Sequence, residues 1–327
     1  MRLAIVGAGG MGSFHGRSLA TLPGVEIVAI ADVRIAAAQA LSDEVGGKPT
    51  TNGLSVASLD GLDGVVIASP EDSHESLVHA ALTNGTHILC EKPLAVGVDA
   101  CQRIVDAEIA LGHRLLQLGL MRVYDPAHVQ LVADLADLGE VHHVRCVHRN
   151  VHEIRRTAQL ILNQSVVHDI HSMRWLVGRE IARVTTIVTP NPDSVESLLV
   201  TAEFHGGGYG TIEFSEHSFA YEVTVEVDAE LGGVVMAPVM RTMVRRDGGA
   251  GVNIGTDWFG RFADAYRVED DVWLKSIATG AAVGPSAWDG LVAERVVEAA
   301  IESLHKRAPV DVEVLDTPDL YRPHRDQ

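Results

Sequence analysis

The apolar run Leu3-Ala4-Ile5-Val6 passes straight into Gly-Ala-Gly-Gly-Met-Gly at 7–12, with Gly7, Gly9 and Gly12 in the spacing G-x-G-x-x-G. A strand that breaks into glycines at this spacing and resumes as a helix has few structural solutions. The first glycine permits a tight turn, the second lets a ligand approach the backbone, and the third lets helix and strand pack closely. The helix that follows presents N–H groups and the positive end of its dipole to phosphates. Asp32 closes the next strand pattern, twenty residues past Gly12. A carboxylate there accepts hydrogen bonds from adenosine ribose hydroxyls and repels a 2′-phosphate. Together these residues predict a dinucleotide site that prefers NAD to NADP. Arg34 is the nearby residue through which a 2′-phosphate would be accommodated. A glycine-rich turn without a ligand is the plainer reading.

The rest of the first third supports the dinucleotide reading. Apolar runs at 25–32, 64–69, 86–91 and 113–121 alternate with helical patterns such as 34–45 and 76–85. Alternation of this kind predicts a doubly wound parallel sheet with helices on both faces. After Tyr124 the pattern changes. Asp125 and Pro126 read as N-cap and first residue of a helix. In Tyr-Glu-Val-Thr-Val-Glu-Val-Asp at 221–228, apolar and polar residues alternate, as in a sheet with one buried face. Gly206–Gly210 reads as a hairpin connection, and 286–306 as an amphipathic helix that packs back near the first domain. The expected organisation is a Rossmann domain over 1–122 and a substrate and oligomerisation domain over 123–327. The second domain is α/β, with a large, open, mixed but mostly antiparallel sheet.

Composition narrows the partners. A formal net charge of −18 repels phosphate backbones, so nucleic acid is not expected. No apolar stretch approaches the ~20 residues of a membrane span, so no membrane partner is expected. Three cysteines without C-x-x-C spacing argue for a reducing compartment, here the cytoplasm, and against disulfide or zinc frameworks. No metal is expected.

Two further motifs carry chemistry. In Ala-Ser-Pro-Glu-Asp-Ser-His-Glu-Ser at 68–76, Asp72 reads as an N-cap with Glu75 completing a capping box. Ser69 and Pro70 fall at the carboxyl edge of the sheet, where doubly wound folds bind ligands. Glu91-Lys92-Pro93 ends a later strand on that edge. A lysine there can bond a substrate hydroxyl and steady the alkoxide that forms as hydride leaves; a solvated turn is the alternative. His168, His171 and Trp175 share one helix face, which reads equally as ordinary packing on a sheet.

The glycine loop, Glu91-Lys92-Pro93 and Val-Val-His-Asp-Ile-His-Ser-Met-Arg-Trp-Leu-Val-Gly at 166–178 together resemble the glucose–fructose oxidoreductase/inositol dehydrogenase family (Gfo/Idh/MocA). The likeness runs through nearly the whole chain and is strongest to the inositol 2-dehydrogenase branch. It implies NAD-dependent oxidation of a secondary alcohol of a cyclic polyol, myo-inositol or a related cyclitol, by a homotetramer that associates through its open sheets. The alternatives are another sugar or aminocyclitol as substrate, or an NAD-binding sensor without turnover. The resemblance implies catalytic roles for Lys92 and His168, and a cis Lys92–Pro93 bond that aims the lysine. It implies polyol contacts from Lys92, His148, Asn150, Gln164, His168 and Tyr266. The expected cofactor contacts are Gly7, Gly9, Gly10, Met11, Gly12, Asp32, Arg34, Ser69, Pro70, His74, Glu91 and Lys92. One departure stands out. The inositol dehydrogenases carry an aspartate four residues before the histidine, where this chain has Gln164, and His171 stands where relatives carry an acid. Glutamine orients an imidazole but takes no proton.

Overall fold

The computed structural model describes residues 1–151, 156–236, 243–247, 249–252 and 255–322. Its contacts divide the chain into two units. One comprises Met1–Met121, Ala265–Glu294 and the residues from Asp316 onward; the other comprises Arg122–Asp264 and Arg295–Leu315.

The first unit begins β1 (Arg2–Val6), α1 (Gly10–Ala20), β2 (Glu26–Ala31), α2 (Ile35–Val45), β3 (Lys48–Thr50) and α3 (Gly53–Ala57). It continues β4 (Gly64–Ile67), α4 (His74–Thr83), β5 (His87–Glu91), α5 (Val98–Leu111) and β6 (Leu116–Gly119). All six strands are parallel, in the order β3-β2-β1-β4-β5-β6. The short β3 carries no apolar run, which is why its sequence does not announce a strand. Central strands are covered on both faces, so Val65, Val66 and Ile67 are wholly buried, as are Ile88, Leu89 and Cys90. The order reverses between β1 and β4, and a crevice at such a switch point is where these sheets bind ligands.

The Asp72 cap is not formed. Glu71–Ser73 make a 3-10 turn, and α4 starts at His74 with Ser73 as its cap residue. Pro70 is the residue that caps this turn, and the Ser73 hydroxyl donates back to its carbonyl at 2.7 Å. Glu75 instead pairs with Arg103, at 2.6 Å.

The second unit contains α6 (Pro126–Leu135), β7 (Val141–Val151), α7 (Ala158–Ile161), α8 (Val167–Val177), β8 (Ile181–Asn191), β9 (Ser194–Phe204) and β10 (Tyr209–Ser215). These are followed by β11 (His217–Ala229), β12 (Gly232–Met236), and the short pair β13 (Met243–Arg246) and β14 (Gly249–Val252). The helices α9 (Trp258–Thr279) and α10 (Ala287–Lys306) and the strand β15 (Val310–Asp311) complete the elements. Seven strands form one sheet, β12-β11-β7-β10-β9-β8-β15, antiparallel except for β10 beside β7. The Asp125 side chain caps α6 and Pro126 opens it, as its sequence requires. Along β11, Tyr221, Val223, Val225 and Val227 are buried while Glu222, Thr224 and Glu226 are partly exposed. On β7, Val144, Cys146, His148 and Asn150 share the buried face. Between α7 and α8 lies a π-helical turn, Leu162–Val166. Such turns concentrate at functional sites, and this one carries Gln164.

Candidate active site

In the first unit the glycines divide into two kinds. Gly7 has φ +98°, and a Cβ on it would stand 2.3 Å from the Ala68 carbonyl oxygen. A Cβ on Gly12 would stand 1.7 Å from the carbonyl oxygen of Gly7. These two glycines are demanded by the protein's own packing. A Cβ on Gly9 or Gly10 would meet nothing within 4 Å among the described residues. The space before α1 is therefore open, and no side chain caps that helix. Both features fit an incoming pyrophosphate.

Asp32 is drawn against this loop. One carboxylate oxygen accepts from the Ala8 N–H and the other from the Arg34 N–H, each at 2.9 Å. Each oxygen retains a lone pair for a ribose hydroxyl. The Arg34 side chain is largely exposed, with Nε 3.7 Å from Asp32. Asp32 lines a cleft of about 590 Å³ together with Gly7, Val33, Asn52, Ser69 and Pro70. The open loop, the oriented carboxylate and the cleft fit the adenosine diphosphate half of NAD.

The ends of β4 and β5 are braced together. Buried His74 has one ring nitrogen 2.9 Å from the Ser69 carbonyl oxygen and the other 2.8 Å from that of Pro93. Lys92 is half-buried beyond the end of β5, and its peptide bond to Pro93 is cis. The Lys92 N–H donates to Glu91 Oε2 at 3.2 Å. Glu91 Oε1 lies 3.2 Å from Nε2 of His15, whose Nδ1 lies 2.6 Å from Asp270 Oδ1. Tyr266 is buried, its ring edge-on to Phe14 at 5.7 Å and to His15 at 6.1 Å.

In the second unit Asp169 organises the polar residues. It is wholly buried, yet it holds Arg122 Nη1 at 2.5 Å and His148 Nδ1 at 2.8 Å. Burial alone would raise its pKa; Arg122 and His148 outweigh that and hold it down to about 2. A proton on His148 Nδ1 facing the carboxylate leaves Nε2 for a ligand. Tyr221 stands edge-on to His148 at 5.7 Å, and burial pushes its phenol up to about 12. Asn150 is buried on the same face of β7, two residues on. His168 and His171 are both buried on α8. Gln164 Oε1 accepts from Arg156 Nη1 at 3.4 Å, and Arg156 also pairs with the wholly buried Glu216.

Thus Gly7, Gly9, Gly12, Asp32, Ser69, Pro70, Glu91 and Lys92 share the first unit with Tyr266. His148, Asn150, Gln164 and His168 share the second. Sequence reasoning missed His15, Asp169, Arg156 and Glu216. His15 left a signal: Gly12, His15, Gly16 and Leu19 form the buried stripe of α1, and a histidine there needs a polar partner.

Comparison with known proteins identifies the family of both halves of the chain. Residues 1–119 match the Gfo/Idh/MocA model described as oxidoreductase family, NAD-binding Rossmann fold. Residues 137–312 match the model described as oxidoreductase family, C-terminal alpha/beta domain. The chain is 36% identical to inositol 2-dehydrogenase 1 of Saccharopolyspora erythraea, covering 98% of this chain and 99% of that one. It is 37% identical to inositol 2-dehydrogenase of Rubrobacter xylanophilus, covering 98% and 95%. Among solved structures it is similar to myo-inositol dehydrogenase from Lactobacillus casei in complex with NAD(H) and myo-inositol. That match has a TM-score of 0.94 at 27% identity, over 98% of this chain and 99% of that one.

Proposed function

The chain belongs to the Gfo/Idh/MocA oxidoreductase family, and from that premise we propose that it is an NAD-dependent dehydrogenase of a cyclic polyol. The substrate is myo-inositol or a closely related cyclitol, one of whose secondary alcohols is oxidised to the ketone. The observation that carries this reading is the placement of the open glycine loop, Asp32 and Lys92 on the carboxyl edge of one parallel sheet. Similarity to enzymes named inositol 2-dehydrogenase supports the choice of substrate.

NAD, when bound, supplies the hydride acceptor, C4 of its nicotinamide. Gly9, Gly10 and Met11 would hold the pyrophosphate and Asp32 the adenosine ribose, with Ser69 and Pro70 lining the same cleft. His74 keeps the turns at Ser69 and Pro93 in register. The Lys92 ammonium bonds the reacting oxygen and steadies the charge that develops on it. His168 accepts the hydroxyl proton in oxidation and returns it in reduction. His148, through Nε2, with Asn150, Gln164 and Tyr266, holds ring hydroxyls and so selects the polyol.

The enzyme works as a cytoplasmic homotetramer. Its three cysteines are buried free thiols, in keeping with a reducing compartment. Among the described residues no helix is long and apolar enough to cross a membrane. The seven-stranded sheet leaves Ile187 60% and Phe219 80% exposed, apolar surface suited to a subunit contact. Light scattering on the eluting protein reads the assembly directly.

The deciding experiment incubates the purified protein with NAD and a panel of inositols, aminocyclitols and aldoses while following absorbance of the reduced cofactor. Fastest turnover is expected with an inositol. A faster aldose or aminocyclitol would reassign the substrate, and silence across the panel would refute the dehydrogenase reading.

A further inference from the structure

We propose that His15 is a positioning residue for Lys92, acting through Glu91. The proposal rests on the reading of Lys92 as the group on the reacting oxygen. It begins from two geometric facts. His15 is fully buried one turn into α1, and both its ring nitrogens face carboxylates, Asp270 at 2.6 Å and Glu91 at 3.2 Å. Only an imidazolium donates to both at once. Glu91 in turn spends its other oxygen on the N–H of Lys92, at 3.2 Å. The carboxylate that ends β5 thus folds back on its own successor and ties the Lys92 amide to α1, the helix that opens on the glycine loop.

A buried ionic cluster is a costly way to join a helix to a sheet, because each charge loses its water. The neighbouring positions of the same stripe, Gly12, Gly16 and Leu19, are buried there without any charge. The groups facing His15 are Glu91 from β5, Tyr266 and Asp270 from α9, and Phe14 from its own helix. Burial works against the imidazolium, but Asp270 and Glu91 outweigh it and raise the ring well above the usual histidine range. Glu269, next to Asp270, is wholly buried, and burial, with Glu91 nearby, pushes its carboxyl well above the usual range. The charged form of Glu269 is thus disfavoured beside this pair. An apolar junction would hold α1 on the sheet. The charged junction also sets the direction in which Glu91 points, and with it the peptide that carries Lys92.

The test is a double-mutant cycle on the full-length protein, combining His15→Gln with Lys92→Ala. It measures kcat, KM for the polyol and Kd for NAD. Lys92→Ala is expected to lower kcat about 10²-fold. His15→Gln is expected to lower kcat about 10-fold or more, the scale of a misplaced catalytic group, with both affinities nearly unchanged. In the Lys92→Ala background the same change should alter the residual rate by less than about twofold, because the two act as one unit. Glu91→Gln, carried through the same cycle, should show the same non-additivity, and it decides the matter alone if His15→Gln does not fold. Equal losses in both backgrounds, or a loss explained by weaker NAD binding, would overturn the inference and leave Lys92 its role. Near-normal kcat in Lys92→Ala alone would overturn both.

Discussion

Gln164 lies beside a cation: its side-chain oxygen accepts from Arg156 Nη1 at 3.4 Å, and Arg156 is itself clamped by Glu216. The position where the family resemblance leads one to expect an acid therefore faces a guanidinium here. A carboxylate introduced there would be shared between Arg156 and any titrating imidazole nearby. Gln164→Asp is expected to raise the pKa of the acid limb of kcat/KM for oxidation, because a negative neighbour favours imidazolium. Arg156 should hold that rise below about 1 unit. A pH profile of both proteins checks it, and an unmoved limb would place position 164 out of range of the catalytic base.

Asp32 has a second duty besides the ribose, since it accepts from the backbone of both Ala8 and Arg34. Asp32→Ala should narrow the preference for NAD over NADP, as the repulsion of a 2′-phosphate disappears. It should also lower stability by about 1 kcal/mol per lost hydrogen bond. The ratio of kcat/KM for the two cofactors measures the first effect and denaturant unfolding the second. A wild-type enzyme that prefers NADP would assign the discrimination to Arg34.

Asp169 makes the second unit sensitive to acid. Its folded pKa, about 2, lies below the unfolded value of 3.8, so its stabilisation is fully present above the unfolded value. That stabilisation is lost as pH falls through the folded value. Asp169→Asn should abolish this part of the acid dependence and leave the Arg122 guanidinium buried without its counter-charge, a loss of about 3–5 kcal/mol. Chemical unfolding between pH 2 and 5, in steps, compares the two slopes; parallel slopes would contradict the assignment.

Glu269 predicts the opposite dependence in the first unit. Neither of its carboxyl oxygens has a hydrogen-bond partner among the described residues, and its folded pKa is raised. An acid of this kind ionises first in the unfolded chain, so stability falls as pH rises from 4.5 toward the folded value. Glu269→Met, which fills similar volume without a titrating group, should raise the unfolding midpoint. The gain should grow as pH rises above 4.5, read by thermal melts. A gain independent of pH would mean that Glu269 does not titrate between the two states.

What the sequence determined by itself was everything that depends on near neighbours. The turn at Gly7, the close approach at Gly12, the carboxylate at Asp32 and the Asp125–Pro126 helix start are each specified within a few residues. Period-two alternation on β11 likewise identified its buried face. Even so, one local signal failed, because Pro70 and Ser73 made their own turn where Asp72 and Glu75 spelled a cap. Only the tertiary structure decided which polar groups meet. His15 and Asp270 are 255 positions apart, Arg122 and Asp169 47, and Arg156 and Glu216 60. Periodicity reports that a side chain points inward, but not what another element brings to face it. A buried charge is stable only with that partner in place, so its role became visible when the elements were packed together.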